Sequence, residues 1–175
     1  MENRLKYILE LVNQWLKFAE TKNAALLGTN SAIVFLVIKS YDSISNLYCF
    51  LRVYIVVASV AMVISAALSI ISFVPLTEIN SQSTKKKQSK DDNLIFYGDI
   101  STYEPRSYVK ALYAHIGQDK EIPIQIEVNY AEQIINNSRI ALIKYRLFSI
   151  GTWITLFSIL TPIISLPIFL FRKQI

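Results

Sequence analysis

The stretch "NNSRIALIKYRLFSIGTWITLF", residues 136–157, falls into two chemically different halves. Asn136 to Arg146 carries amides, cations, a serine and a tyrosine, and after Arg146 no charge appears until Arg172. About 20 apolar residues in a helix cross the hydrocarbon core of a bilayer. The passage therefore reads as a polar helix running directly into a membrane span. A second charge-free run of the same length separates Arg52 from Glu78. A third and shorter one lies between Lys22 and Lys39. It falls just below the usual minimum of about 17, but both lysines can snorkel and Ser40 and Tyr41 extend it. Its competing reading is a buried hairpin segment.

The 175 residues are 53% hydrophobic and 18% charged, a balance that these three runs account for. The expected fold class is an all-α membrane protein: three transmembrane helices, long cytoplasmic helical extensions, a small mainly helical cytoplasmic domain, and assembly into an oligomer. The expected organisation is an amphipathic stalk helix (1–22), a first span (23–40), an outer loop (41–51), a second span (52–75), a flexible basic linker (76–93), a helical cytoplasmic region (94–146), a third span (147–171) and an outer tail (172–175). Fourteen of the 18 Lys and Arg residues then fall on one side. The positive-inside rule makes that side cytoplasmic, amino terminus included. The segment from Met1 to Glu20 is too polar for a signal peptide.

Within the stalk, Leu5, Ile8, Leu9, Val12, Trp15, Leu16 and Ala19 recur at helical spacing. Pro75 is read as the end of the second span, and "NSQSTKKKQSKDD" as a linker. "NLIFYGD" reads as a strand or a docked loop. "STYEPRSYVKALYAHIG" reads as a helix, with Ser101 and Glu104 at capping-box spacing, Pro105 in the first turn and Gly117 as the stop. Pro123 opens a further helix that meets no breaker before Gly151. On it Ala131, Ile134, Ile135, Ser138, Leu142 and Tyr145 share one face; Tyr130, Gln133, Asn137 and Lys144 share another.

One cysteine, Cys49, excludes an internal disulfide, and one histidine, His115, removes most metal and histidine-based schemes. No nucleophile elbow, Walker loop, zinc spacing or carboxylate pair appears, so no enzyme activity, cofactor or metal is expected. Aromatics interleaved with cations, Tyr97, Tyr103, Arg106, Tyr108, Lys110 and Tyr113, suit a small anionic aromatic ligand. A tyrosine-built core competes with that reading at Tyr108 and Tyr113. Gln133 and Asn137 suit base edges or helix-to-helix hydrogen bonds, and Lys144 suits phosphate or lipid headgroups. Within the spans, Asn30 must find a partner or water, which makes it the foremost pore or gate candidate, with Ser65, Ser69, Thr155 and Ser158. Small and hydroxyl residues there equally serve close helix packing.

"FAETKNAALLGTNSAIVF", "NLIFYGDISTYEPRSYVKAL" and "YAEQIINNSRIALIKYRLF" resemble, in order and spacing, the motifs of the Pycsar effector transmembrane family, over Trp15 to Phe157. The resemblance implies a bacterial antiphage effector of the inner membrane, which answers a nucleotide second messenger from a partner cyclase or nucleotidyltransferase and impairs the membrane. Carried over by position, its ligand-facing residues are Tyr97, Asp99, Gln133, Asn137 and Lys144. The founding systems use a cyclic pyrimidine nucleotide and related defence systems use other cyclic or short oligonucleotides; no residue here selects among them. Three helices cannot enclose a water path, so a pore requires several copies, and a symmetric homotetramer in contact with membrane lipid is expected. The rival expectation is a non-channel membrane adaptor that recruits a cytoplasmic partner.

Overall fold

A computed structural model describes residues 1–75, 92–117 and 123–173, with side chains through residue 161. The linker lysines Lys85, Lys86, Lys87 and Lys90, the side chains of Ser165, Pro162 and Pro167, and residues 174–175 of the outer tail lie outside the described residues. Every described element is a helix: α1 (Glu2–Lys39), α2 (Tyr41–Ser45), α3 (Cys49–Ile71), α4 (Tyr97–Ile100), α5 (Pro105–His115) and α6 (Gln125–Lys173). The chain divides into two compact units, Met1–Glu20 with Pro75–Tyr145, and Thr21–Val74 with Arg146–Ile175.

The first unit is built on the apolar stripe of α1. Leu5, Ile8 and Val12 pack with Ile100 and Tyr103, with Tyr108, Val109, Leu112 and Tyr113 of α5, and with Ala131, Ile134 and Ile135 of α6. Each of these sets follows the helical period, which turns one face inward. A fully buried Leu or Ile contributes roughly 1.5–3 kcal/mol. Glu127 anchors the start of α6: its carboxylate accepts the Tyr113 hydroxyl at 2.7 Å and the Ile124 backbone N–H at 3.2 Å.

One local expectation gives way here and another is narrowed. Ser101 and Glu104 form no capping box: Ser101 is the C-cap of α4, and its hydroxyl donates to the Gly98 carbonyl at 2.7 Å. Glu104 is itself the N-cap of α5, extended and without a side-chain cap, because Pro105 behind it disfavours the helical region. Of the two readings of "NLIFYGD", the docked loop holds for residues 93–96, a turn with Leu94 packed against the core; it leads into α4, whose Gly98 leaves room for the Phe96 ring, which an added Cβ would strike. Gly117, at φ 71°, ends the segment after α5 as expected.

In the second unit α3 stops at Ile71, with Ser72 as its C-cap, so Pro75 is not its terminator. The connection after α1 holds α2, whose Ser45 and Asn46 side chains donate to the Asp42 carbonyl. Large side chains cover the outside: Phe35 is 64% exposed, and Val56, Val60, Ile64 and Phe157 are exposed too. Such a surface is unfavourable in water and matches lipid. Helices α1, α3 and α6 are long and apolar enough to cross a membrane.

Ile134, fully buried in the cluster shared with α1 and α5, tests the first unit's core. Ile134→Ala should destabilise it by about 2–5 kcal/mol, read as a lowered melting temperature in detergent by far-ultraviolet circular dichroism. An unchanged melt would mean that this core does not limit stability.

Candidate functional site

In the second unit three buried polar side chains, one from each long apolar helix, meet one another. Asn30 is fully buried on α1, and its amide Nδ2 donates to Ser65 Oγ on α3 at 2.9 Å. The Ser65 hydroxyl donates in turn to the Gly151 carbonyl of α6 at 2.8 Å. Thr155 Oγ1 donates to Asn30 Oδ1 at 3.0 Å and lies equally close to Ser65 Oγ. This knot therefore uses each hydroxyl proton once and links all three apolar helices. A bilayer offers an unpaired amide no water, so the pairing is what makes Asn30 tolerable there. Gly151 is what lets α6 close in: a Cβ on it would sit 3.0 Å from Leu26 Cδ2 and 3.1 Å from Ser65 Oγ. Ser69 is buried beside the knot and donates to the Ser65 carbonyl, whereas Ser158 donates within α6 to Ile154 and its own carbonyl accepts the Tyr54 hydroxyl at 2.6 Å.

In the first unit two of the expected ligand residues bond to α1. Asn137 donates to Asn13 Oδ1 at 2.8 Å, and Lys144 forms an ion pair with Glu20 at 2.6 Å. The step from Asn13 to Glu20 equals the step from Asn137 to Lys144, so the two helices run parallel and in register. Lys144 is thus held by a carboxylate. Between the polar pairs lies an aromatic cluster. Tyr97 stacks on Tyr145 with ring centroids 5.1 Å apart, and Trp15 meets the Tyr97 and Phe96 rings edge-on.

Asp99 accepts the Asn93 backbone N–H at 3.2 Å and so braces the turn before α4. Tyr103 is buried and donates to Asp92 Oδ2 at 3.1 Å. Arg106 and Gln133 are exposed, and no hydrogen bond or ion pair joins them to the other five among the described residues. Of the residues that sequence reasoning missed, Asn13 and Glu20 are signalled by the matching heptad step on two helices. Arg139 is another; its guanidinium donates to the Ser101 and Tyr103 carbonyls at 2.9 and 3.1 Å and ties α6 to the turn after α4.

Outside this face a cavity of about 520 Å³ opens between the first two turns of α1, residues 92–95 and the end of α5. Ile8, Leu94, Leu112 and Ile116 form its floor, and Arg4 and Tyr7 stand on its rim. None of the seven expected ligand residues lines it.

A family model described as the Pycsar effector protein domain matches residues 4–171, nearly the whole chain and all three apolar helices. The chain belongs to the Pycsar effector family. No curated protein and no solved structure matches it. Membership makes this Pycsar effector an antiphage defence effector and a multi-pass membrane protein, one of a family that responds to a cyclic nucleotide made by a cyclase. The family is one of membrane effectors and is not known as an enzyme family.

Two outcomes follow from the geometry. In a double-mutant cycle, Asn30→Ala and Thr155→Val should be coupled by about 0.6–1.7 kcal/mol in denaturant unfolding from detergent micelles. Additive effects would show that the knot carries no energy. The second concerns Tyr103, whose phenol is pushed up to about 12 by burial and by its bond to Asp92. A raised folded value means that its contribution is complete below the ordinary phenol value of about 10 and is lost as pH rises through about 12. Stability should therefore be insensitive to this group near neutrality and fall across that alkaline window. Tyr103→Phe should flatten the fall, and an identical alkaline profile in that variant would refute the assignment.

Proposed function

We propose that this Pycsar effector is a homo-oligomeric pore of the bacterial inner membrane, gated by a cyclic nucleotide that binds the first unit. The observation that carries this reading is the continuity of α1 and α6, each of which supplies residues to both units without a break. A ligand that shifts either helix in the first unit displaces the same rod within the apolar unit. The knot of Asn30, Ser65 and Thr155 then acts as the fastening of the gate: its bonds hold the three spans of one copy in a single arrangement. Ser69 and Ser158 flank it along α3 and α6. Asn137 and Lys144 act as struts that pass movement between α6 and α1.

Assembly is supported by the outer face of α1. Ala24, Gly28 and Ala32 follow one another a helical turn apart, all exposed, and a Cβ on Gly28 would meet nothing within 4 Å. Small residues at that spacing let membrane helices approach closely. The neighbouring exposed Thr29 and Ser31 supply hydroxyls at the same level, and a ring of such faces is the natural lining of a water path. Four copies give a closed symmetric arrangement. The excess of Lys and Arg before the first apolar run and between the second and third orients the amino terminus and the sensing region to the cytoplasm.

Purified protein in planar bilayers should conduct ions in a manner that depends on a 3′,5′-cyclic mononucleotide. Gly28→Leu should abolish that conductance and reduce the particle mass in detergent, while Ala24→Gly leaves both intact. An unaltered bilayer current across the cyclic mononucleotide panel would discard the pore in favour of the adaptor.

A further inference from the structure

The expected ligand face leaves little for a nucleotide to hold, since Asn137 and Lys144 bond to α1 and Tyr103 is buried. The geometry points to the cavity at the start of α1 as the binding site for a cyclic mononucleotide. This rests on the nucleotide-gated reading above and adds to it a place and a binding mode.

The cavity's volume of about 520 Å³ falls within the range of about 300–1,000 Å³ typical of small-molecule sites. Its floor of Ile8, Leu94, Leu112 and Ile116 offers a base an apolar bed. Tyr7, 64% exposed on the rim, presents a ring to the opposite face of that base. Arg4, one helical turn before Tyr7, projects from the same side of α1, and among the described residues no ion pair or side-chain hydrogen bond engages its guanidinium.

The charges orient the ligand. A cyclic phosphate is drawn to Arg4 and to the N-terminal end of α1, where the helix dipole is positive. The acidic group of that turn, Glu2, is paired with Lys6 at 2.7 Å, so it opposes an anion less than a lone carboxylate would. At the far side, Asp92 and Asn93 bring acceptor and donor atoms suited to the one free ribose hydroxyl, at the 2′ position, and to the base edge. The Tyr103 hydroxyl, donated to Asp92 Oδ2, holds that carboxylate in place at the cavity wall. The site also has a mechanical consequence. It joins α1 to the turn before α4, and that turn leads into the rings that stack on α6. Occupation therefore bears on both long helices.

The test is binding of 3′,5′-cyclic CMP, UMP, AMP and GMP to the full chain in lipid nanodiscs by equilibrium dialysis. At least one should bind the unsubstituted chain. Arg4→Gln should weaken it roughly tenfold or more through loss of a charged hydrogen bond, and Tyr7→Ala roughly tenfold through lost stacking. Ile95→Trp should block the cavity. Circular dichroism should show all three variants as helical as the unsubstituted chain. Arg106→Gln and Gln133→Ala, on exposed residues away from the cavity, should bind normally. If the unsubstituted chain binds and the three cavity variants bind equally well, the location is wrong and the nucleotide-gated reading survives. Loss of binding in the Arg106 or Gln133 variants instead moves the site to the face that sequence reasoning favoured. No binding by the unsubstituted chain removes both proposals together.

Discussion

Along α1 and α6, polar side chains meet in matched pairs: Asn13 with Asn137, Glu20 with Lys144, and Asn30 with Thr155. The two pairs of the first unit are both 124 positions apart in the chain and the pair of the second unit is 125 apart, so each unit has its own parallel register. A slip by one residue would turn every partner by about 100° and leave an amide, a cation and a hydroxyl without bonds. Polar pairs in an otherwise apolar seam trade stability for uniqueness of register, as single polar positions do in coiled coils. Where the surroundings are lipid the constraint hardens, because an unpaired amide has no solvent to turn to.

That register explains the rest of the architecture. Tyr97 stacks on Tyr145 and touches Trp15, so the short α4 is seated on residues of both long helices. Arg139 clamps the turn that follows, and Tyr113 and Glu127 join α5 to the start of α6. Gly151 belongs to the same logic in the apolar unit: a Cβ there would crowd Leu26 and Ser65, and its absence leaves the Gly151 carbonyl free to take the Ser65 hydroxyl. Short helices and turns are thereby held by long ones, and the long ones by a few polar bonds.

For a defence effector gated as proposed, this arrangement puts sensing and membrane action on shared rods. Of the residues that read in sequence as ligand contacts, Asn137 and Lys144 bond α6 to α1, and Tyr97 stacks on α6. A well-formed concavity lies instead where the start of α1, the turn before α4 and the end of α5 converge. An apolar floor with an arginine on its rim has the mixed chemistry that a cyclic nucleotide requires. As proposed, such a site would adjust helix packing from its margin without dismantling the polar pairs.

Much of the fold was legible along the chain. Charge-free runs marked the spans, and helical spacing identified the inward faces of α1 and α6, Leu5, Ile8 and Val12 on one, Ala131, Ile134 and Ile135 on the other. Both signals are local, because bilayer thickness sets a length and helix geometry sets a period. Capping was less legible: Ser101 and Glu104 had the right spacing, but Pro105 forced an extended backbone at Glu104 and α4 claimed the serine. What the sequence by itself determined, then, was which residues turn inward and which helices are long and apolar enough to cross a membrane. Only the tertiary structure decided whom they meet: Asn30 with Ser65 and Thr155, Lys144 with Glu20, Arg4 beside the cavity. The physical reason is that partnership depends on the register between segments far apart in the chain, and a helical period of about 3.6 carries no record of that register.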